Sequence, residues 1–284
     1  CGAKADEKTT VTMIAAQYGD KNADWWANFE KKFEEANPDI DFVVDVVSWN
    51  DIYTVVNTRI ANGEQPDLLN IDGFADYQAD DLLLPASEWV SEETYAKFFD
   101  SFLAESVVDD TVWAVPDLAS ARALYYNKDI LDAAGVAVPT TWEELLAAGA
   151  QLTDPANNKF GYAFRGGASG YQYADTAMWA WIGVDKLAHP DAGYYLKDGN
   201  GATIFTLPEA KEALEFHKQL YLQASPSDSI AWAFSEMVQG FVGGTCAFLI
   251  QDAEVIATCS ADMAEGTWNT APFPAGPSGE AVFP

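Results

Sequence analysis

The apolar residues of this chain fall into short β-branched runs that alternate with stretches in helical spacing. Residues 10–16 form a β-prone run, and from Asp24 onward Trp25, Trp26, Phe29, Phe33 and Ala36 recur at helical intervals until Asn37-Pro38 stops them. Residues 40–47 are rich in Val and Ile, with Ile40, Phe42, Val44 and Val46 on one side, as in a strand flanked on both faces. Asn50 is placed to cap a second helix carrying Ile52, Val55, Val56 and Ile60, and Gly63 to end it in the left-handed conformation. Residues 66–71 make a third strand. This β-α-β-α-β order predicts an open parallel sheet, whose ligands bind beyond the carboxyl ends of the strands. Those ends lie at residues 17–20, 48–50 and 72–74.

Further along, Asp109-Asp110 reads as a turn leading through Trp113-Ala114-Val115-Pro116 into Arg122-Ala123-Leu124-Tyr125-Tyr126, where the first domain ends. Thr141-Trp142-Glu143-Glu144 has the capping-box pattern and opens a helix through Leu152. A polar turn at residues 154–158 precedes the segment 160–164. A glycine-rich loop follows at 166–170, without the Lys-Ser/Thr of a P-loop or the dinucleotide pattern, and reads as a flexible surface loop. Helices are expected at 173–182, 207–222 and 234–241, with a strand at 246–250. Residues 271–277, rich in Pro, read as an extended crossing.

Composition narrows the function. The 284 residues, enough for about two domains, carry 44 Asp and Glu against 15 Lys and Arg, a net charge of -29, while 49% are apolar. The chain is therefore an acidic globule. Nucleic acid is excluded as a partner for want of clustered cations, and an anionic ligand is disfavoured. A neutral, hydroxyl-rich ligand fits, because 10 Trp, 12 Tyr and 16 Phe supply flat surfaces for stacking. With His189 and His217 alone, a zinc site built of histidines is excluded, and no metal or cofactor is expected. His217 falls on the apolar side of its helix and His189 in a loop before a proline. No run of 18 apolar residues occurs, so no segment of the sequence is expected to span a bilayer. Cys246 and Cys259 are either a disulfide, which an oxidising envelope would permit, or two buried free thiols. The start, Cys1-Gly2-Ala3-Lys4-Ala5-Asp6, resembles a mature bacterial lipoprotein, which implies a lipid on Cys1 and a polar tether over residues 1–9.

Several stretches carry a wider resemblance: Phe33-Glu34-Glu35-Ala36-Asn37-Pro38-Asp39-Ile40, Asn62-Gly63-Glu64-Gln65-Pro66-Asp67-Leu68, and above all Leu124-Tyr125-Tyr126-Asn127-Lys128-Asp129-Ile130-Leu131. Ala134-Gly135, Pro139-Thr140-Thr141-Trp142-Glu143-Glu144-Leu145, Phe241-Val242-Gly243-Gly244 and Ala271-Pro272-Phe273-Pro274 follow in order. Together they resemble the family 1 extracellular solute-binding proteins, the carbohydrate-binding lipoproteins of ABC importers. The resemblance implies an α/β, two-lobed periplasmic-binding-protein fold of class II type, with the ligand in a cleft between lobes joined by hinge crossings. The lobes are expected at residues 10–114 and 117–270, with 271–284 crossing back toward the first lobe and the family's further C-terminal segment lying beyond this chain. It also implies a monomer on the extracellular face of the bacterial membrane that is not an enzyme and that passes a carbohydrate, an oligosaccharide by expectation, to ABC permease subunits. Where relatives carry a Gly and then an aromatic after the strand at 247–250, this chain has Gln251-Asp252-Ala253-Glu254, so a polar contact replaces a stacking one.

A sugar site needs aromatic faces for the ring and planar amides or carboxylates for its hydroxyls. The expected contacts are Gln17, Tyr18, Asn50 and Asp72 at strand ends of the first lobe, and Asp117 beyond the hinge at Pro116. On the second lobe they are Tyr171 after the glycine loop, Trp232 as the stacking residue, and Gln251 with Asp252 after the strand. Trp232 sits in a polar loop with little reason to be core. Trp49 reads as core, and Trp25, Trp26, Trp142, Trp179 and Trp181 as packing residues. Two other functions stay open: a secreted glycoside hydrolase working with paired carboxylates, and the same fold holding a cationic ligand or a peptide, toward which the acidity would steer a cation.

Overall fold

The computed structural model describes residues 8–19, 21–119, 121–167 and 207–277, apart from the side chains of Glu105 and Glu209. The expected helix at 173–182, Tyr171, His189, Trp179, Trp181 and Cys1, the expected lipid site, lie outside the described residues. The chain divides into two compact units, Cys1–Trp89 and Val90–Pro284.

The first unit has the β-α-β-α-β order read from its periodicity, β1 (Thr9–Ala16), α1 (Asn22–Ala36), β2 (Ile40–Val47), α2 (Ile52–Ala61) and β3 (Leu68–Asn70), and adds the short α3 (Ala75–Ala79), which the periodicity did not indicate. All three strands are parallel in the order β2-β1-β3, with Thr9 paired to Ile40 and Met13 to Leu68. As the central strand, β1 is flanked on both sides, and Ile14, Ala15 and Ala16 are fully buried. Asp67 clips β3 onto β1: its carboxylate accepts from both the N–H and the hydroxyl of Thr12 at 2.8 Å, which lowers its pKa.

Helix α1 covers the edge strand β2. The rings of Phe29 and Phe33 lie 6.2 and 5.2 Å from that of Phe42. One turn apart on the same helix face, Glu30 and Glu34 accept the N–H groups of Val44 and Phe42, at 2.6 and 3.2 Å. These backbone groups are thereby closed to strand addition. The expected packing role of Trp25 fails: it is 56% exposed and stacks at 5.6 Å on Phe29 along the outside of the helix. A single edge strand is narrower than the apolar stripe laid over it. Asn50 is likewise not the cap of α2. Asp51 holds that position with no side-chain bond, because the carbonyl of Ser48 accepts from both Asp51 and Ile52 at 2.9 Å and its hydroxyl accepts from Asn50 at 3.3 Å. At the other end Gly63 does adopt the left-handed conformation, at φ 73°.

The second unit opens with α4 (Glu92–Tyr95), α5 (Asp100–Leu103) and the hairpin β4 (Val107–Val108) to β5 (Thr111–Val112). Asp109 and Asp110 make its turn at φ 49° and 60°, as a two-residue hairpin loop requires. Next come β6 (Ala123–Asn127), α6 (Lys128–Ala134), α7 (Trp142–Leu152), β7 (Phe160–Tyr162), α8 (Pro208–Ala224), α9 (Phe234–Val242), β8 (Cys246–Gln251), α10 (Val255–Asp262) and β9 (Trp268–Ala271). The sheet is mixed, in the order β7-β8-β6-β9, with β7 parallel to β8 and β6 antiparallel to both its neighbours.

Successive residues of a strand point to opposite faces, and here both faces are covered. Leu124, Phe248 and Ile250 enter a core with Trp142, Leu145, Phe216 and Leu220, whereas Tyr125 and Leu249 enter a second core with Met237, Phe241 and Val255. All six residues of β8 are buried as a result. Each large apolar side chain so buried contributes about 1.5–3 kcal/mol. Helix α7 is capped by Thr141, which accepts from the N–H of Glu144 at 3.2 Å, but the reciprocal half of the expected box is displaced by one residue: Glu144 accepts from the N–H and hydroxyl of Thr140 at 2.8 Å. After β9, residues 272–274 are irregular and Ala275 forms a parallel bridge to Thr141, the segment being held where the indole of Trp142 donates to the carbonyl of Pro274 at 2.6 Å.

Candidate functional site

Parallel strands deliver their carboxyl ends to one edge. In the first unit the backbone of Gln17 continues the ladder by one residue, donating to the carbonyl of Val47 at 2.9 Å. Tyr18 and Trp49 meet edge to face at 5.5 Å and pack, half-buried, on the cluster of Ile14, Ala16, Ile52 and Val56. The carboxylate of Asp72 accepts from the hydroxyl of Tyr53, under which Gly73 sits so closely that an added Cβ would lie 3.2 Å from the Tyr53 oxygen. Asp72 and Asn50 are exposed. The structure thus gathers Gln17, Tyr18, Asn50 and Asp72 at one sheet edge. It adds Tyr53, which the sequence reading missed although it stands in the first turn of the helix leaving that edge.

In the second unit the carboxyl ends of β7 and β8 meet the start of β6. Gln251, the last residue of β8, is 2% exposed and donates its Nε2 to the Glu254 carboxylate at 2.6 Å. Asp252 pairs with the Arg122 guanidinium at 3.4 Å, and its carbonyl accepts from the Tyr125 hydroxyl at 2.9 Å. Burial, followed by the charge of Asp252, raises the pKa of Glu254, against the pull of the Gln251 hydrogen bond and Arg122. Tyr125, desolvated and beside Glu254, is held above the ordinary phenol range and remains a hydrogen-bond donor. At the end of β7, Arg165 is buried with its guanidinium 5.9 Å from the Phe234 ring centre.

The first two residues of the glycine loop are packed, contrary to the flexible surface loop expected. A Cβ on Gly166 would fall 2.5 Å from the Ile230 backbone, and one on Gly167 would fall 2.7 Å from the Trp232 carbonyl, which accepts the Gly167 N–H at 2.8 Å. Trp232 also departs from its expected setting. It is half-buried against the second core, its six-membered ring over Gly240 so closely that a Cβ there would lie 2.8 Å away, and its Nε1 donates to Asp228 at 3.2 Å. A polar run in the sequence conceals this packing because the indole reaches across to another helix. Asp117 is exposed in the irregular run between β5 and β6.

Of the two readings for the cysteines, the structure has free thiols. Cys246 and Cys259 are buried in the same core. Burial pushes Cys246 up to about 12, helped by Asp228, and Cys259 up to about 11, helped by Asp262, so neither is a thiolate nucleophile at neutral pH. Among the described residues no cluster of His, Cys, Asp and Glu is arranged to hold a metal ion, and no helix is long and apolar enough to cross a membrane. Arg122, Arg165 and Glu254 were not anticipated as site residues. A basic residue beside a strand end in so acidic a chain was the available signal for the arginines.

Residues 15–282 match the family described as bacterial extracellular solute-binding protein. A binding protein of Brucella abortus (strain 2308) is 26% identical over 276 residues, covering 95% of this chain and 64% of its own length. The mannitol-binding protein of Pseudomonas aeruginosa is 29% identical over 240 residues, 83% of this chain and 53% of its own. The chain therefore spans less than two thirds of these relatives. Among solved structures, a solute-binding protein of an ABC transporter from Agrobacterium radiobacter K84, in complex with ribitol, superposes with a TM-score of 0.80 at 21% identity, covering 98% of this chain and 69% of that one. That likeness establishes the mixed α/β solute-binding-protein fold.

Proposed function

As this chain belongs to the bacterial extracellular solute-binding protein family, we propose that it captures a neutral carbohydrate or polyol outside the cell and delivers it to the permease of an ABC importer. The observation that carries this reading is the pairing of aromatic rings with planar hydrogen-bonding groups at the strand carboxyl ends of the first unit, where Tyr18 meets Trp49 after β1 and β2, Gln17 extends β1, and Asp72 after β3 accepts from Tyr53; the second unit adds Gln251 and Asp252 at the end of β8, and Trp232 just before α9. Rings cover the C–H faces of a sugar and planar groups take its hydroxyls, which an acidic protein offers without the repulsion an anionic ligand would meet. The recognition residues are Gln17, Tyr18, Asn50, Asp72, Asp117, Tyr171, Trp232 and Asp252, with Gln251 buried at the end of β8 behind them. The lobes are residues 10–114 and 117–270, the protein acts as a monomer without catalysis, and Cys1 bears a lipid that holds it at the membrane. The names of similar proteins, which mention mannitol and ribitol, support a polyol or sugar as the ligand class.

The test is a thermal-shift screen of the chain against mannitol, ribitol, maltose and longer oligosaccharides, with spermidine and short peptides as the other arm, followed by calorimetry on any hit. Ligand binding to the native state raises its melting temperature by mass action. A shift with one hydroxylated class, with the sugar recovered intact after hours, is the expected result. Hydrolysis of the sugar, or a shift with spermidine alone that vanishes in salt, overturns the reading. Trp232→Ala is expected to weaken binding of the identified sugar by about 1 kcal/mol or more; unchanged affinity removes Trp232 from the site.

A further inference from the structure

We infer that the carboxylate of Glu254, held in place by the buried amide of Gln251, accepts a hydrogen bond from a hydroxyl of the bound polyol, which makes Glu254 a recognition residue and Gln251 its positioning residue. The inference rests on the carbohydrate-binding reading above. Gln251 is too buried to serve a ligand directly, at 2% exposure, and its Nε2 is committed to Glu254 at 2.6 Å. Its own Oε1 is buried and accepts no hydrogen bond among the described residues. An amide retained inside a sheet with one end unsatisfied destabilises the fold, so its presence calls for a compensating role, and the partner its other end orients is Glu254.

Glu254 suits that role. It is half-buried in the turn between β8 and α10, and a carboxylate offers about four acceptor positions, of which Gln251 and its own backbone N–H occupy two. The neighbouring acid, Asp252, is taken by Arg122 at 3.4 Å, whereas no ion pair among the described residues includes Glu254. A partly desolvated anion, fixed in direction and not neutralised by a cation at contact distance, is a strong acceptor for a hydroxyl donor. Among the described residues, the charged and titratable groups around it are Asp252 after β8, Arg122 before β6, Tyr125 on β6 and Cys259 on α10; α9 carries Glu236, whose carboxylate accepts the Ala233 N–H at 3.1 Å, and β9 brings none. Because burial and Asp252 raise the Glu254 pKa, the accepting form is complete above that raised value and is lost as pH falls through it.

The experiment measures binding of mannitol, ribitol and maltose to the full chain by calorimetry from about pH 8 down to about pH 4.5, in wild type and Glu254→Gln. The expected result is a wild-type affinity that falls with pH, and a variant roughly tenfold to a hundredfold weaker at neutral pH whose affinity no longer follows that fall. Gln251→Met, which keeps the volume but removes the donor, is expected to weaken binding as well while leaving the pH dependence in place. A wild type that binds a polyol with a flat pH profile, or a Glu254→Gln variant with wild-type affinity, overturns the inference and leaves the carbohydrate reading standing. Failure of the wild type to bind any of the polyols overturns that reading itself, and the inference with it. The wild-type profile decides the matter even if a variant fails to fold.

Discussion

Replacing Gly161 by alanine is expected to separate α7 from the sheet of the second unit. A Cβ at Gly161 would sit 2.2 Å from both the Cα and the carbonyl oxygen of Gly149, in the middle of α7. Carbon atoms rest in contact at about 3.5–4.0 Å, so roughly 1.3 Å of separation is required. The obstructing atoms are backbone, and no rotamer change relieves the clash. Moving α7 by that amount withdraws Trp142 and Leu145, exposed by only 4% and 1%, from their contacts with Phe216 and Leu220. Overpacking typically costs about 1–3 kcal/mol, and a clash that shifts a whole helix belongs at the top of that range, about 3 kcal/mol or more. For a unit of this size the melting temperature should fall by roughly 6–12 °C. Gly149→Ala is milder: its Cβ would meet the Ala224 Cβ at 2.9 Å and the Gly161 Cα at 4.0 Å, so about 1 kcal/mol is expected. Gly19→Ala, with nothing within 4 Å, serves as a control and should be neutral within about 0.5 kcal/mol. Urea unfolding followed by tryptophan fluorescence, with hydrogen exchange at the β7 and β8 amides to assign the change to this unit, gives the ranking. A Gly161→Ala variant as stable as Gly19→Ala would refute the close approach of α7 to β7 and the packing argument built on it.

Two further outcomes follow from buried titratable groups. His217, its ring 4.7 Å from that of Phe164, is lowered by desolvation from 6.5 to about 4. The unfolded chain protonates this group below about pH 6.5 while the native one stays neutral, so its contribution is complete above 6.5 and lost progressively as pH falls toward 4. His217→Gln should narrow the drop in urea midpoint between pH 7 and pH 5, and an unchanged drop would count against a desolvated imidazole. Cys246 and Cys259, at about 12 and 11, should resist a thiol reagent at about pH 8 in the native protein and react once unfolded in urea. Fast native labelling of either would place it outside the core described.

Much of the architecture is legible in the residues. The β-branched run of 40–47 and the helical spacing of 52–60 specify β2 and α2, because periods of two and near 3.6 leave one packing arrangement for each segment. Gly63 and the Asp109-Asp110 turn are likewise readable, since each needs a backbone region that few residues enter. In the strand-end positions, too, local sequence sufficed: Gln17, Tyr18, Asn50 and Asp72 share an edge because parallel strands all finish on the same side.

What the linear pattern could not determine depends on which surface meets which. Trp25 lies in an apolar stripe yet is exposed, while Trp232 lies in a polar run yet covers Gly240. Nothing within either segment records the width of the strand beneath α1 or the hollow left by a glycine on another helix. Gly166 and Gly167 look like loop punctuation and prove to be points of backbone contact. The acid at the end of β8 became notable only when the fold placed the buried amide of Gln251 against it and gave Arg122 to Asp252, residues 130 positions apart in the chain. Local spacing determines the elements, because backbone geometry is local. Burial, ion pairing and the reach of a side chain are properties of juxtaposed surfaces, and only the tertiary structure decides those.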